Sequence, residues 1–172
     1  MRRLLSIFFF LFLVAYVNGN NIPDERGYIV KVGDYAPDFL IEKTDGSKSK
    51  LSDYRGKVVM LQFTASWCSV CCKEMPHIEE EIWSTFKDKG LVLFGVDRGE
   101  KKEQVIRFAE KMNVTYPLIM DEKSDIFGLF ADKRSGVTRN VIIDKSGKIV
   151  FLTRLFDRNE FNDMIKVIKG LL

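Results

Sequence analysis

Apolar residues along this chain follow two different rhythms. The runs 58–63 (VVMLQF) and 91–96 (LVLFGV) are apolar almost throughout, which is typical of strands buried on both faces of a sheet. In the stretch 100–112, by contrast, apolar side chains recur at helical spacing. Residues 78–86 carry an apolar side chain at every fourth position, and Gly90 follows as a typical helix end. This alternation of strands and helices predicts a central sheet with parallel members, covered by helices on both faces.

The C-terminal part of the chain has a different pattern. Residues 140–143 and 148–152 predict two strands joined by the turn 144–147, which form an antiparallel hairpin at one edge of the sheet. A final amphipathic helix follows, with Asp157 or Asn159 as its N-cap. Local signals predict further elements: a strand at 39–42, a hairpin turn at Asp45-Gly46, a helical turn at 51–56, a strand at 116–120 and a helix at 124–130. The predicted fold class is therefore an α/β sandwich with a mixed central sheet.

Residues 1–19 have the pattern of a secretory signal peptide: a charged start, an apolar run of 14 residues and a small residue at the end. The run is short for a membrane span of about 20 residues, so we expect cleavage; an uncleaved leader would be a membrane anchor. Residues 20–32 are polar and predict an N-terminal tether, whereas 33–172 form one continuous domain. Cleavage places the mature chain outside the cytoplasm, in the periplasm or secreted.

Composition and charge exclude several classes of protein. The chain has 172 residues, 46% of them hydrophobic and 12% aromatic, which is too apolar for a disordered protein. The formal charge is +3, but without Arg2 and Arg3 of the leader 25 basic residues face 24 acidic ones. A net charge so close to zero excludes an electrostatic case for binding nucleic acid or an anionic membrane. We expect a monomer that binds no nucleic acid.

All three cysteines lie within five positions, in the segment Trp67-Cys-Ser-Val-Cys-Cys72. Three cysteines cannot form a disulfide scaffold in a chain of this length. Cys68 and Cys71 lie between a predicted buried strand and the start of a helix, so their side chains are about one turn apart. Unpaired amide groups and the helix dipole favour a thiolate at Cys68, which makes it the better nucleophile. Cys71, one turn deeper, is then the thiol that resolves a mixed disulfide.

A C-x-x-C pair also occurs in metal and haem sites. A structural zinc site needs four ligands, and the further candidates, Cys72 and His77, do not share one helix face with the pair. Covalent haem attachment needs a histidine directly after the second cysteine, where this chain has Cys72. We therefore predict neither a metal nor a cofactor.

Five segments of the predicted mature chain together match a known pattern. They are Val32-Gly-Asp-Tyr-Ala-Pro-Asp-Phe39, Leu51-Ser-Asp-Tyr-Arg-Gly-Lys57, Phe63-Thr-Ala-Ser-Trp-Cys-Ser-Val-Cys71, Lys73-Glu-Met-Pro76 and Ile142-Ile-Asp-Lys-Ser-Gly-Lys148. With these segments the chain resembles the thioredoxin superfamily, and within it the extracytoplasmic TlpA/ResA-like thiol-disulfide oxidoreductases. The resemblance implies a thioredoxin fold with an N-terminal extension, and dithiol–disulfide exchange through Cys68 and Cys71.

The resemblance also implies a site and partners. Glu74 matches a carboxylate that ResA-like proteins place near the active-site thiols, where it exchanges protons with them. The Val137-Thr138 loop matches the loop that pairs with cysteine-containing substrate segments, and we expect Trp67 to shield the dithiol. The implied substrates are cysteine-containing proteins. The implied direction is reduction, with a membrane or periplasmic thiol reductant that recharges the pair.

Three positions depart from the thioredoxin pattern. Thr138 occupies the place of the usual cis-proline, so the bond after Val137 is either cis at a cost or trans in a loop of different shape. Cys72 stands where thioredoxins commonly have a basic residue, and its position outside the C-x-x-C spacing predicts that it is dispensable for exchange. Gln62 stands where thioredoxin has a buried acid. Because an amide cannot act as a base, Glu74 becomes the first candidate for that role.

The alternative function is that of a peroxiredoxin-like thiol peroxidase. Arg139 resembles the arginine that peroxiredoxins place near their reactive thiolate; the simpler expectation is a loop cation that stabilises the Cys68 thiolate. The threonine and proline of the P-x-x-x-T-x-x-C motif are missing, since Ala65 and Leu61 stand at those spacings. The sequence therefore favours thiol-disulfide exchange.

Overall fold

The computed structural model describes residues 22–172, so the predicted leader at 1–19 lies outside the described residues. The strands are β1 (Leu40–Glu42), β2 (Lys48–Lys50), β3 (Val58–Thr64), β4 (Leu91–Arg98), β5 (Leu118–Asp121), β6 (Arg139–Ile143) and β7 (Ile149–Leu152). The α-helices are α1 (Ser69–His77), α2 (Ser84–Phe86), α3 (Lys102–Met112), α4 (Asp125–Phe130) and α5 (Arg158–Leu171). Within residues 22–172, none of the helices combines the length and apolar character that a membrane span requires.

Five strands form the central sheet, in the order β5-β4-β3-β6-β7. β4 runs parallel to both β3 and β5, whereas β6 pairs antiparallel with both β3 and β7. The two apolar runs of the sequence are neighbouring central strands, with Val58 opposite Leu91. The predicted mixed sheet with an antiparallel hairpin at its edge is therefore confirmed.

Side chains of β3 alternate between two hydrophobic layers, one on each face of the sheet. Val59, Leu61 and Phe63 pack in the layer that contains α4 and the N-terminal part of the described chain. Val58 and Met60 pack in the layer that contains α1, α3 and α5. The predicted helices on both faces are therefore confirmed, and β3, buried along its whole length, lies between the two layers.

The helical segment after the cysteines changes its winding, which the sequence pattern did not predict. α1 continues directly into a π-helical segment, Ile78–Trp83. Pro76, inside α1, has no N–H to donate to the preceding turn. In an α-helix, side chains four positions apart are rotated about 40° from one another around the helix axis. A π-helical turn holds more residues, so such side chains stay closer to one face. Ile78, Ile82 and Phe86 accordingly all remain buried.

Residues 22–32, part of the predicted tether, pack against the domain. Tyr28 is buried and forms an isolated β-bridge with Ala131. Its hydroxyl donates a hydrogen bond of 2.6 Å to the carbonyl of Thr153. A polar stretch with one aromatic anchor has no periodic signal, so the sequence did not indicate this packing. The domain boundary at residue 33 stays a prediction.

Candidate active site

Cys68 and Cys71 form a disulfide where β3 leads into α1. Their Cα atoms are 5.3 Å apart. Cys68 is the N-cap of α1, and its Sγ accepts a hydrogen bond of 3.2 Å from the backbone N–H of Cys71. Cys68 is half-buried, whereas Cys71 is completely buried. The predicted position of the pair at a helix start is thus confirmed, and Cys68 is its more accessible member.

Thr138 lies directly against this disulfide. Its Oγ1 is 3.1 Å from Cys68 Sγ and 3.2 Å from Cys71 Sγ. The Val137–Thr138 peptide bond is trans, which decides between the two options that the sequence left open. Both loop residues are buried, and the Thr138 carbonyl accepts a hydrogen bond of 3.1 Å from the guanidinium of Arg154. The loop is therefore anchored beside the two sulfurs.

Glu74, three positions after Cys71 on α1, is buried. Burial raises the pKa of its carboxyl to about 7, and a hydrogen bond from Asn140 opposes part of this rise. The Nδ2 of Asn140 donates that hydrogen bond to Glu74 Oε1 over 2.7 Å. A carboxyl with a pKa near 7 can change its protonation state at neutral pH, as a general acid or base must.

Asn140 lies opposite Gln62 across the β3–β6 pair. Its Nδ2 also donates to Thr153 Oγ1 over 2.9 Å, while Gln62 Oε1 accepts a hydrogen bond of 2.7 Å from the Tyr116 hydroxyl. Gln62 also faces Glu74, and its side-chain amide opposes part of the rise in the pKa of this carboxyl. The sequence singled out Gln62 but missed Asn140, because only the register of β6 on β3 brings this amide to Glu74.

Trp67 and Cys72 flank the disulfide in the sequence and lie in different environments. Trp67 is 63% exposed and presents an aromatic surface beside Cys68. Cys72 is half-buried and packs against the layer beneath α1. Its Sγ lies 3.9 Å from the carbonyl oxygen of Ser66, and it takes no part in the disulfide.

His77, the other zinc-ligand candidate, contacts groups away from the cysteines. Its Nδ1 is 2.9 Å from Glu81 Oε1, and its ring stacks on Phe156 at a centroid distance of 5.1 Å. Among residues 22–172, no three His, Cys, Asp or Glu side chains are grouped so that they could hold a metal ion.

Arg139 is not the predicted loop cation that stabilises the Cys68 thiolate, and this prediction is wrong. It is the first residue of β6 and is completely buried. Its guanidinium lies over the rings of Tyr28 and Phe127, at 4.5 and 5.1 Å from their centroids, and donates a hydrogen bond of 2.8 Å to the Gly136 carbonyl. Burial lowers its pKa to about 10. The aromatic partners come from distant segments, so nothing near Arg139 in the sequence indicated them.

A groove of about 740 Å³ lies beside the Val137-Thr138 loop. Gly136 and Leu155 line it on the loop side, and Arg26 lines it from the N-terminal segment. Leu155 is half-exposed and has a φ of 67°, which is rare for a branched side chain.

A mixed five-stranded sheet between helical layers, with a disulfide-forming C-x-x-C pair at the helix after its central strand, defines a class of protein. The chain is a thioredoxin-fold thiol-disulfide oxidoreductase of the TlpA/ResA-like kind. It belongs to the AhpC/TSA family, whose sequence profile matches residues 32–152.

Related proteins agree with this class. The thiol-disulfide oxidoreductase ResA of Geobacillus thermodenitrificans is 35% identical over 120 residues, which cover 70% of this chain and 67% of the relative. A solved structure from Bacteroides thetaiotaomicron, assigned as a protein disulfide isomerase, is 54% identical with a TM-score of 0.83, covering 85% of this chain and 92% of that one. A Chlorobium tepidum structure, assigned as the thiol:disulfide interchange protein DsbE, is 26% identical with a TM-score of 0.70, covering 83% and 99%. The predicted thiol-disulfide oxidoreductase is thereby confirmed.

Proposed function

We propose that the protein reduces disulfides of cysteine-containing proteins, with Cys68 as the nucleophile and Cys71 as the resolving thiol. The observation that carries this order is the difference in exposure of the two sulfurs, since Cys68 is half-buried and Cys71 completely buried. The Cys71 N–H that donates to Cys68 Sγ would also stabilise a thiolate there, together with the dipole of α1. A substrate disulfide therefore meets Cys68 first.

Exchange then proceeds in two displacements. The Cys68 thiolate attacks one sulfur of the substrate disulfide, forms a mixed disulfide and releases the other substrate sulfur, which takes up a proton. Cys71 gives up its proton and attacks the Cys68 sulfur, which releases the second substrate thiol and forms the Cys68–Cys71 disulfide. The substrate gains two electrons and the protein loses two. A membrane or periplasmic thiol reductant supplies two electrons to restore the dithiol.

Glu74 is the proposed acceptor of the Cys71 proton. It lies on the same helix, is buried like Cys71 and has a pKa of about 7. Gln62, in the place of thioredoxin's buried acid, cannot take that role.

Trp67, Val137 and Thr138 form the proposed substrate contact. Thr138 touches both sulfurs, and Trp67 is exposed beside Cys68. A substrate segment that pairs with the Val137-Thr138 loop would extend toward the groove beside Gly136. Its cysteine would then lie against Cys68.

The proposed site of action is outside the cytoplasm. The leader pattern of residues 1–19 supports export and cleavage into the periplasm or the medium, and an uncleaved leader would anchor the chain in the membrane. Residues 33–172 are the proposed catalytic domain, and residues 22–32 of the proposed tether pack against it through Tyr28. We propose that the protein acts as a monomer.

Cysteine variants test the order of attack. Cys71→Ser with Cys68 reduced should trap a mixed disulfide between Cys68 and a disulfide-containing assay substrate such as insulin, detected by intact mass, whereas Cys68→Ser should trap none. Cys72→Ser is the matched control and should keep full turnover. Loss of turnover in Cys72→Ser but not in Cys71→Ser would mean that the resolving thiol is wrongly assigned.

The reduction potential of the Cys68–Cys71 pair tests the direction. Equilibration of the full chain with glutathione redox buffers, followed by alkylation and mass analysis, measures it. A potential near about −270 mV supports a reductant, and one near about −120 mV would make the protein an oxidant.

A further inference from the structure

Two carboxyl groups that the exchange steps above do not use lie buried near the active site. Asp97, near the end of β4, is opposite Thr64, the last residue of β3. Glu100 follows in the loop after β4 and is only 3% exposed. Because β3 and β4 are parallel, their C-terminal ends lie on the same side of the sheet. Both acids therefore lie near the end of β3, from which the chain continues to Cys68.

Glu100 binds the residue that precedes Trp67. Its Oε2 accepts a hydrogen bond of 2.6 Å from the backbone N–H of Ser66, and its Oε1 accepts one of 2.6 Å from the Ser66 hydroxyl. Both oxygens of one carboxyl group thus hold a single exposed residue. The Ser66 carbonyl lies 3.9 Å from Cys72 Sγ, so Ser66 is held between the end of β4 and α1.

Asp97 lies beside Glu100, and the pair is buried without a cation. Within residues 22–172, no Lys, Arg or His forms an ion pair with either carboxyl. Burial, and next the charge of Glu100, raise the pKa of Asp97 to about 8. Asp97 is therefore largely protonated at pH 7. Ser66 donates its two hydrogen bonds to Glu100 and not to Asp97.

Burying a carboxylate has a large desolvation cost if its only role is to accept the hydrogen bonds of one serine. The single oxygen of a neutral amide or hydroxyl could accept a hydrogen bond from Ser66 with a smaller desolvation cost. What a carboxylate adds is strength, because charge-assisted hydrogen bonds are shorter and about twice as strong as neutral ones. That added strength fixes the backbone directly before Trp67 and Cys68.

We propose that Glu100 is a positioning residue that fixes Ser66, and through it Trp67, in the conformation in which a protein substrate meets Cys68. The proposal rests on the proposed function, in which Trp67 contacts the substrate. No hydrogen bond joins Glu100 to either sulfur in the described structure. Glu100 therefore acts on the binding of protein substrates, while a small disulfide that needs no contact with Trp67 reacts independently of it.

Amide hydrogen exchange tests the contact without any activity. In the oxidised full chain, the Ser66 N–H should be protected, and Glu100→Ala should make it exchange at least about tenfold faster. Ser66→Ala keeps the backbone bond to Glu100 and should retain most of the protection at position 66. Equal exchange of this amide in the wild type and Glu100→Ala would overturn the proposal, whatever the protein reduces.

Steady-state kinetics test the consequence for substrates. Glu100→Ala should raise the KM for insulin about tenfold, as expected when a charge-assisted pair of hydrogen bonds is lost. Its kcat, and its rate with a small aromatic disulfide, should stay within about twofold of the wild type. Glu100→Gln keeps one acceptor oxygen and should recover part of the loss. Glu103→Ala, an exposed glutamate on α3, is the matched control and should match the wild type.

A double variant separates positioning from general damage to the fold. Ser66→Ala combined with Glu100→Ala should be no worse than Glu100→Ala alone, because both act through one contact. Additive losses, an unchanged KM in Glu100→Ala, or an equal loss with the small disulfide would each contradict the proposal. If the wild type itself failed to reduce insulin, the proposed function would fail, and the amide exchange of Ser66 would still decide the role of Glu100.

Discussion

Cys68 and Cys71 are three residues apart, yet their environments differ. Cys68 ends the loop and caps α1, so its sulfur faces the helix amides, whereas Cys71 points into the core one turn later. Glu74, a further turn along, is buried and has a pKa of about 7. The spacing of these residues thus places the proposed nucleophile at the start of α1 and the proposed resolving thiol and proton acceptor, both buried, on the turns that follow.

Glu74→Gln should remove the proton acceptor of the second displacement. In the wild type, resolution by Cys71 should slow as the pH falls below about 7, because protonated Glu74 cannot accept a proton. In the variant, the decrease in the rate of resolution below about pH 7 should disappear, and the rate of resolution at pH 8 should fall on the order of 10²-fold. Stopped-flow release of a labelled thiol from a preformed mixed disulfide measures this step. An unchanged pH profile would exclude Glu74 from the mechanism.

Asn140→Leu is the matched variant, because it keeps the acid but removes the hydrogen bond to Glu74 Oε1. Loss of that bond to the carboxylate should raise the pKa of Glu74 further. The pH below which resolution slows should therefore rise by about one unit. If resolution slowed at the same pH as in the wild type, Asn140 would not influence the pKa of Glu74.

Thr138→Ala should make the dithiol a stronger reductant. The Thr138 hydroxyl lies within 3.2 Å of both sulfurs and can donate to a Cys68 thiolate, which favours the reduced form. Without it the reduction potential should fall by about 20–30 mV, which corresponds to one hydrogen bond in a two-electron couple. Glutathione redox titration measures the shift. Thr138→Ser keeps the hydroxyl, so an equal shift in both variants would exclude this hydrogen bond as the cause.

At the scale of elements, strand ends and helix ends bring the site together. β3 delivers the loop before Cys68, β6 begins directly after Thr138, and α1 starts at the dithiol. α5 covers the layer that contains α1, and Phe161 and Met164 bury its inner face. Stability and exchange chemistry can therefore be changed separately at the ends of these elements.

Asp157→Ala should weaken the fold without changing exchange. Asp157 is the N-cap of α5 and accepts hydrogen bonds from the backbone N–H groups of Asn159 and Glu160, at 3.0 and 2.9 Å. Their loss should lower the free energy of unfolding by about 1 kcal/mol, measured by urea denaturation followed by circular dichroism. Asp157→Asn keeps the cap and should be nearly neutral. Equal losses in both variants would point to the charge of Asp157 rather than to its cap.

For the molecule as a whole, two buried carboxyls on one side of the sheet link stability to pH. Burial raises the pKa of Asp97 to about 8 and that of Glu74 to about 7. Between the ordinary carboxyl pKa and these values, the folded state keeps protons that the unfolded state has released. The stability that these groups contribute at low pH is therefore lost as the pH rises through their folded pKa values.

Asp97→Asn should flatten this dependence. Folding raises the pKa of the Asp97 carboxyl from its ordinary value of 3.8 to about 8, and the variant removes this carboxyl. The free energy of unfolding should fall less between about pH 4 and pH 8 than in the wild type, and the variant should be the more stable protein at pH 8. Urea titrations across this pH range measure how the free energy of unfolding changes with pH. The part of this change that is due to Glu74 should remain in the variant. Parallel curves would mean that the pKa of Asp97 is not raised.

The sequence by itself determined the order of elements, the mixed sheet and the position of the dithiol. Each depends on a local signal: the apolar run of β3, the helical spacing in 100–112, and the C-x-x-C spacing at a helix start. Local signals also left Asp157 or Asn159 as the cap of the last helix, and the structure shows that Asp157 is the cap. Such features are readable because they depend on residues within one or two turns of each other.

Only the tertiary structure decided which distant side chains meet around the dithiol. Asn140 contacts Glu74, Glu100 holds Ser66, and Arg139 lies between two aromatic rings rather than beside Cys68. These contacts depend on strand register and on which face of the sheet each segment covers. A shift of one residue in register would turn the Asn140 amide to the other face, and no local pattern records that choice.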